Sequence, residues 1–278
     1  MQNMDTKLIF FDIDGTLMDE TGEVQESSRF ALQKLKSNGH RIFVASGRCL
    51  AEVPKAVSDI GFSGMILGNG AYVEYEGQEI FHDIMDGKKV VEFGKVLEAG
   101  DAAVFFSSKE GCYIRSAVLE NFTKHANENP ETLGFWKEFL DITKIFTDIN
   151  QLEYRGIEKV NFHMYHGDMH QLKQHFSDCF SIVPSSIPNN PKGAGGEVTN
   201  IGITKAAGIK HILKHLGREN EKYIAFGDNH NDIDMIKAAH IGVVMGNGVD
   251  KLKEHANLLT SRVNDDGIFK ALKQLELL

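Results

Sequence analysis

The sequence predicts an α/β protein: a doubly wound, parallel-sheet core interrupted by an inserted α+β segment. Two observations carry this. Short apolar strands alternate with helical stretches at both ends of the chain, and the middle, from about residue 82 to residue 190, reads differently, with helical stretches alternating with half-buried strands. At 278 residues the chain fits about two domains and can bury a sizeable core without disulfides or a structural metal. The expected division is a split core over residues 1–81 and 191–278, with an inserted domain over residues 82–190.

In chain order, Lys7-Leu-Ile-Phe-Phe-Asp12 is a continuous apolar run ending in a carboxylate, as suits a strand buried on both faces. Phe30, Ala31, Leu32 and Leu35 recur at helical spacing between about Gln25 and Lys36, with Gly39 placed to end that helix. Arg41-Ile-Phe-Val-Ala45 is the second strand, a helix is expected from about Leu50 to Ile60, and Met65-Ile-Leu67 is the third strand. In the inserted segment, Val104–Phe106 and Lys159–Tyr165 read as strands. Pro191-Lys-Gly-Ala-Gly-Gly196 reads as a loop or hinge, since no helix N-terminus follows to make it a phosphate cradle. The tail resumes the strand–helix alternation of the opening, with a helix to Leu216, a strand at Tyr223–Phe226, a helix at Asp232–Ala239, a strand at Ile241–Met245 and a helix at Gly267–Leu275.

Composition narrows the function. The chain is 42% apolar and 25% charged, and 30 Lys+Arg against 39 Asp+Glu give a formal charge of −9. Such a balance disfavours generic nucleic-acid binding and adsorption to anionic membranes. It leaves room for a small anionic substrate in a locally positive site. Cys49, Cys112 and Cys179 are odd in number and far apart, so they form no disulfide framework. Residues 1–7 are polar with no apolar signal core, and no run approaches the ~18 residues of a membrane span. A soluble, cytoplasmic protein is therefore expected, as a monomer or small homo-oligomer.

Chemistry concentrates at strand ends. Asp12-Ile-Asp14-Gly15-Thr16 closes the first strand, at the edge where open α/β sheets bind ligands. Alternation lets Asp12 and Asp14 project the same way, and Gly15 permits a tight turn. A turn cluster alone would use the same residue types; at average usage these four identities arise by chance in roughly one sequence in several hundred. Gly227-Asp228-Asn229-His230-Asn231-Asp232 also follows a strand and opens a helix. Converging carboxylates from Asp12, Asp14 and Asp228 would repel one another unless a cation sits among them, and Mg²⁺ prefers such oxygen ligands. Ser46-Gly47-Arg48 offers a hydroxyl and backbone N–H groups to an anion. Lys205 lies in the first turn of a helix, against the dipole preference, which favours a specific role.

These four segments, in this order, resemble the motifs of the haloacid-dehalogenase-like superfamily of phosphohydrolases, with the closest likeness to its Cof-type branch. Gly68-Asn-Gly-Ala71, Glu197, Met245-Gly-Asn247 and Asp266-Gly-Ile268 extend the likeness, whereas Asn200 and Ala206 stand where proline and glycine are usual. The resemblance implies a Rossmann-like core with an inserted α+β cap that selects substrate. It implies Asp12 as nucleophile forming an aspartyl-phosphate and Asp14 as acid and then base. Mg²⁺ is implied on the Asp12 carboxylate, the Asp14 carbonyl and Asp228. Ser46, Gly47, Lys205 and Asn231 are implied around the phosphoryl group, Arg48 and Asn69 toward the leaving group, and Asp232 and Asn229 behind the metal and lysine. The expected reaction is hydrolysis of a small phosphorylated metabolite, a sugar phosphate or phosphorylated cofactor or nucleotide.

Two other classes share parts of this pattern. A phosphotransferase or phosphomutase would use the same aspartyl-phosphate, and a non-catalytic phospho-acceptor or binding protein also places an Asp on an α/β sheet. The second Asp two residues on and an insertion of about a hundred residues fit the latter poorly. His163, His166 and His170 fall in an alternating stretch and a polar turn, and read as packing or surface rather than metal ligands. Cys49 reads as a buried thiol, and Trp136 as core.

Overall fold

The computed structural model describes residues 6–120, 142–164, 169–184 and 194–278. The chain opens with β1 (Leu8–Phe11), α1 (Glu26–Ser37), β2 (Arg41–Ala45), α2 (Lys55–Ser58) and β3 (Gly64–Leu67), followed by the hairpin β4 (Tyr72–Tyr75) and β5 (Gln78–His82). A second series comprises α3 (Gly87–Ala99), β6 (Ala102–Ser108), β7 (Gly111–Arg115), β8 (Thr143–Phe146), β9 (Lys159–Met164), α4 (Met169–His175), β10 (Phe180–Pro184) and β11 (Ala194–Asn200). The chain closes with α5 (Lys205–His215), β12 (Tyr223–Gly227), α6 (Ile233–Ala238), β13 (Ile241–Val244), α7 (Asp250–Lys253), β14 (Leu258–Leu259) and α8 (Gly267–Gln274). No helix among the described residues is long and apolar enough to cross a membrane.

The fold is the α/β class the sequence predicts, in two compact units. One unit holds Arg48–Glu52 and Asp83–Ile203, and the rest of the chain forms the other. That larger remainder carries an eight-stranded sheet in the order β14-β13-β12-β1-β2-β3-β4-β5, parallel from β14 to β3. Strands β4 and β5 add an antiparallel edge that the sequence did not lead us to expect. Every residue of β1 is buried because helices cover both faces, so its pattern is a run rather than an alternation. Phe10 stacks on Phe43 on one face, and Phe11 stacks on Phe226 on the other, each with centroids 4.7 Å apart. Burying one such ring stabilises by about 1.5–3 kcal/mol, so these pairs pin β1 between β2 and β12. The chain order reverses across β1 and β12, which makes their C-terminal edge the switch point where such sheets bind ligands.

Local departures have physical causes. The helix expected over Leu50–Ile60 is split into a single turn at Leu50–Glu52 and the short α2, because Pro54 cannot continue the first turn. On α1 the buried residues are Ser28, Ala31, Leu32 and Leu35, while Phe30 faces outward at 56% exposure.

The second unit carries a six-stranded sheet in the order β10-β11-β9-β6-β7-β8. One face packs against α3, where Val90, Phe93 and Leu97 meet Val104, Phe106 and Phe162. Asp86 caps that helix, accepting from the amides of Lys88 and Lys89 at 2.9 and 3.1 Å. Register puts Lys159 opposite Ser107 and Asn161 opposite Glu197, and all four side chains are buried.

The boundary expected at residue 191 differs from this arrangement. Residues 194–196, expected to be loop, form the start of β11, paired with β9 and β10. A Cβ on Gly196 would stand 2.6 Å from the Phe162 ring, so glycine is what lets that ring lie across the strand. The second unit therefore extends to Ile203, and it also takes in Arg48–Glu52 from the segment expected to be core. The remainder of the expected hinge, Pro191–Gly193, lies outside the described residues, as do Trp136 and His166.

Candidate active site

The site is built where β1, β2 and β12 end side by side. Phe11 is level with Val44 and Phe226, so Asp12 emerges between the ends of its two neighbours. Its amide still donates to the Phe226 carbonyl at 3.0 Å, which holds the turn bearing Asp12 to the sheet. The turn then folds on itself, with the Gly15 amide donating to Met18 O at 2.8 Å. Gly15 has φ +78°, and a Cβ there would meet Asp228 Oδ2 at 2.3 Å. Glycine is required by both conformation and space. Thr16 Oγ1 donates to Asp228 Oδ1 at 2.9 Å, joining the two carboxylate-bearing loops.

Lys205 reaches this cluster from the first turn of α5, whose N-cap Thr204 accepts from the Ala207 amide at 3.1 Å. Its Nζ, fully buried, donates to Asp12 Oδ1 at 2.7 Å and to Asp232 Oδ1 at 2.6 Å. The other oxygen of Asp232 accepts from the amides of Asp228 and Asn229 at 2.8 and 2.9 Å. Asn229 in turn accepts from the His230 amide at 2.7 Å, forming a capping box with Asp232. Asp232 thus anchors the lysine on one side and the backbone of the Asp228 loop on the other.

Electrostatics follow from burial. Desolvation pulls Lys205 down, but the carboxylates of Asp12 and Asp232 outweigh it and hold the ammonium well above the usual lysine range. Opposite charges about 4 Å apart attract by about 4 kcal/mol at an effective dielectric of about 20, which is why pairing wins over burial here. Asp12 is pushed up to about 8, chiefly by burial, with Lys205 opposing and the negative charges of Asp232 and Asp14 adding to it. Asp228 is also pushed well up, by burial first and then by Asp12 and Asp232, against the Thr16 hydrogen bond. One ammonium does not neutralise three buried carboxylates.

That imbalance is the test of whether a divalent cation fits. Oxygens of Asp12, Asp228 and Asp232 lie within 4.8 Å of one another, all three residues are buried, and the donors are of the hard oxygen type that Mg²⁺ takes. Among the described residues this is the one such group; His163 and His170 are not in it. Both oxygens of Asp232 already accept from protein donors, which leaves Asp12 and Asp228 as the carboxylates better placed for a cation.

The other expected residues are placed as follows. Ser46 is buried, its amide donating to Ile66 O at 2.8 Å, and its carbonyl accepts from the Asn69 amide at 3.0 Å. Asn69 sits in the left-handed region at φ 58°, which asparagine tolerates. Its Oδ1 accepts from Asn231 Nδ2 at 3.1 Å, so the loops after β3 and β12 meet. Gly47 is buried at the end of β2. Arg48 belongs to the second unit, where its Nη1 donates to the Glu52 carbonyl at 2.9 Å. Asn247, to which the sequence assigns no role, reaches the same turn, its side chain donating to the Gly15 carbonyl at 2.8 Å. Its signal in the sequence is a Gly-Asn-Gly turn closing another strand of the same edge.

The chain resembles known proteins over nearly its whole length. Residues 9–272 match the model of the haloacid dehalogenase-like hydrolase family. YkrA of Bacillus subtilis, named a putative phosphatase, is 30% identical over 99% of this chain and 100% of its own length. The 5-amino-6-(5-phospho-D-ribitylamino)uracil phosphatase YitU of the same organism is 27% identical over 98% of each chain. The solved structure of BT4131, described as a subclass IIB sugar phosphatase, superposes with a TM-score of 0.79 at 26% identity, covering 98% of this chain and 100% of that one.

Proposed function

The chain belongs to the haloacid dehalogenase-like hydrolase family, and from that premise we propose that it is a Mg²⁺-dependent phosphatase acting on a small phosphorylated metabolite through an aspartyl-phosphate. The observation that carries the reading is the buried Lys205 ammonium held between Asp12 and Asp232, with Asp228 beside them.

In this reading Asp12 attacks the phosphorus atom and forms an acyl phosphate as the bond to the leaving oxygen breaks. Asp14 gives its proton to that oxygen, so the product leaves as an alcohol. A water molecule then attacks the phosphorus, its proton passing to Asp14, and the Asp12 carboxylate is released with inorganic phosphate. Lys205, Ser46, the Gly47 amide and Asn231 bind the phosphoryl oxygens, where fixed donors stabilise charge best because they need no reorganisation. Asp232 and Asn229 hold Lys205 and the Asp228 loop in place. Asp12, Asp228 and the Asp14 carbonyl would hold the cation. When bound, Mg²⁺ supplies the positive charge that keeps the carboxylates ionised and offsets that of the phosphoryl group.

The names of YitU and BT4131 support a phosphorylated sugar or polyol as the substrate class. Selection of the leaving group is assigned to the second unit, Arg48 included, with Asn69 as a further candidate.

The test is release of phosphate from a generic aryl phosphate, then from a panel of phosphorylated sugars and cofactors. Release should require Mg²⁺, stop with chelator and vanish in Asp12→Asn. Normal turnover by Asp12→Asn would remove the assigned nucleophile, and turnover indifferent to chelator would remove the metal.

A further inference from the structure

We infer that Asn247 is a positioning residue for this reaction: its side-chain amide holds the Asp12–Thr16 turn in its working conformation. The inference rests on the phosphatase reading above. Asn247 lies in the turn after β13, at the same sheet edge as the site. Its Nδ2 donates to the Gly15 carbonyl at 2.8 Å, and its Oδ1 accepts from the Val263 amide at 3.0 Å. Both ends of one planar amide are thus used on backbone groups from two different loops.

The frame beneath it is fixed. The Met245 amide donates to Gly227 O at 3.1 Å, the Gly246 amide to Ser261 O at 3.0 Å and the Val249 amide to Asp228 O at 2.8 Å. Asn247 is therefore mounted on the backbone that carries Asp228.

The need for such a hold comes from Gly15. Space and conformation demand glycine there, and glycine is the residue with the widest backbone freedom. Left to itself, a peptide flanked by Gly15 can rotate. Rotation would turn Asp14 away on one side and lift Thr16 off Asp228 on the other. The bond from Asn247 to the Gly15 carbonyl restrains that rotation. An amide also fits the electrostatics. It offers a donor to the carbonyl without adding charge beside Asp12, Asp14, Asp228 and Asp232. Aspartate, of the same shape, would keep an acceptor for Val263 but set oxygen against oxygen at Gly15.

Three variants separate positioning from stability. Asn247→Asp keeps the Val263 contact and loses the Gly15 contact, and Asn247→Ala loses both. Asn257→Ala removes a comparable bond, from the Gly242 amide to Asn257 Oδ1 at 2.7 Å, away from the site. Amide hydrogen exchange over residues 12–18, and kcat and KM for an aryl phosphate with Mg²⁺, are measured on the full chain. Both Asn247 variants should exchange about tenfold faster across that turn and lose at least about tenfold in kcat, with KM within about twofold, since a misplacement of about 1 Å is enough to cost that much. Asn257→Ala should lower the unfolding midpoint and leave both readouts alone. Unchanged exchange in the Asn247 variants, or faster exchange with full kcat, would overturn the inference, as would failure of both to fold. A wild-type chain that releases no phosphate would instead defeat the phosphatase reading, and this inference with it.

Discussion

Lys205 Nζ donates to Asp12 Oδ1 at 2.7 Å although 193 residues separate them in the chain. The contact brings the first turn of α5 to the end of β1, and Asp232 accepts from the same ammonium at 2.6 Å. Lys205→Met would leave two buried carboxylates facing each other without their cation. Lys205→Arg keeps the charge, but a planar fork does not seat where a compact ammonium bridges two oxygens. Both variants should lose about 10²–10³ in kcat for an aryl phosphate, the usual cost of removing one fixed electrostatic donor. A Lys205→Met enzyme within threefold of wild type would show that the ammonium is structural only.

Burial and mutual repulsion push the Asp12 and Asp228 carboxyls up, Asp12 against the pull of Lys205. A ligand that binds only the folded chain and relieves this repulsion must stabilise it. At about 100 times its dissociation constant, Mg²⁺ should add about 2.7 kcal/mol. For a chain of this size that corresponds to a rise of about 5 °C in unfolding temperature. Thermal melts with Mg²⁺ and with chelator measure it directly. Asp228→Asn should shrink the increment, and an equal increment in that variant would place the cation elsewhere.

The features legible in the sequence are those that local chemistry dictates. Leu8–Phe11 reads as a strand because both its faces are buried, and Asp12 and Asp228 stand out because two acidic clusters each close a strand, where a single one would pass for a turn or cap. The features hidden in it depend on distant partners. Gly196 looks like part of a hinge until the Phe162 ring is known to lie across it. Asn247 belongs to a run that carries the family likeness, but its bond to Gly15, 232 positions away, is visible only in the fold. Arg48 follows the Ser46-Gly47 pair in sequence, yet its guanidinium turns to the Glu52 carbonyl in the other unit. No local pattern distinguishes these outcomes.

The second unit carries a buried pair of its own. Lys159 Nζ lies 3.4 Å from Glu197 Oε2, with side chains 5% and 2% exposed. Burial pulls Lys159 down, but Glu197 and then Glu52 outweigh it and hold the ammonium up. Glu52 also accepts from the Ser107 hydroxyl and from the Cys49 amide. The lysine thus serves two carboxylates, so its loss should cost more than loss of Glu197. Lys159→Met is expected to destabilise by about 3–5 kcal/mol, the cost of stranding a buried charge, and Glu197→Gln by less. The double variant should cost less than the sum. Denaturant unfolding of the four proteins checks this, and additive losses would mean that the pair is not coupled.

His40 gives stability a pH dependence with a definite sign. Its Nδ1 accepts from the Lys7 amide at 3.3 Å, and its buried Nε2 has no hydrogen-bond partner among the described residues. Protonation would put a second donor against the Lys7 amide and a charge on a buried ring. Burial, and then the Lys7 charge, accordingly hold His40 below the ordinary histidine value. The unfolded chain therefore takes up this proton first as pH falls. The stabilising increment is full above the ordinary pKa of about 6.5 and is lost as pH falls from there toward the depressed folded value. His40→Asn keeps an acceptor near the Lys7 amide and cannot titrate. Urea melts at pH 7.5 and 5.5 should show a smaller acid loss in His40→Asn than in wild type, with the other histidines cancelling in the comparison. Equal losses in the two proteins would mean that His40 ionises as freely in the folded chain as in the unfolded one.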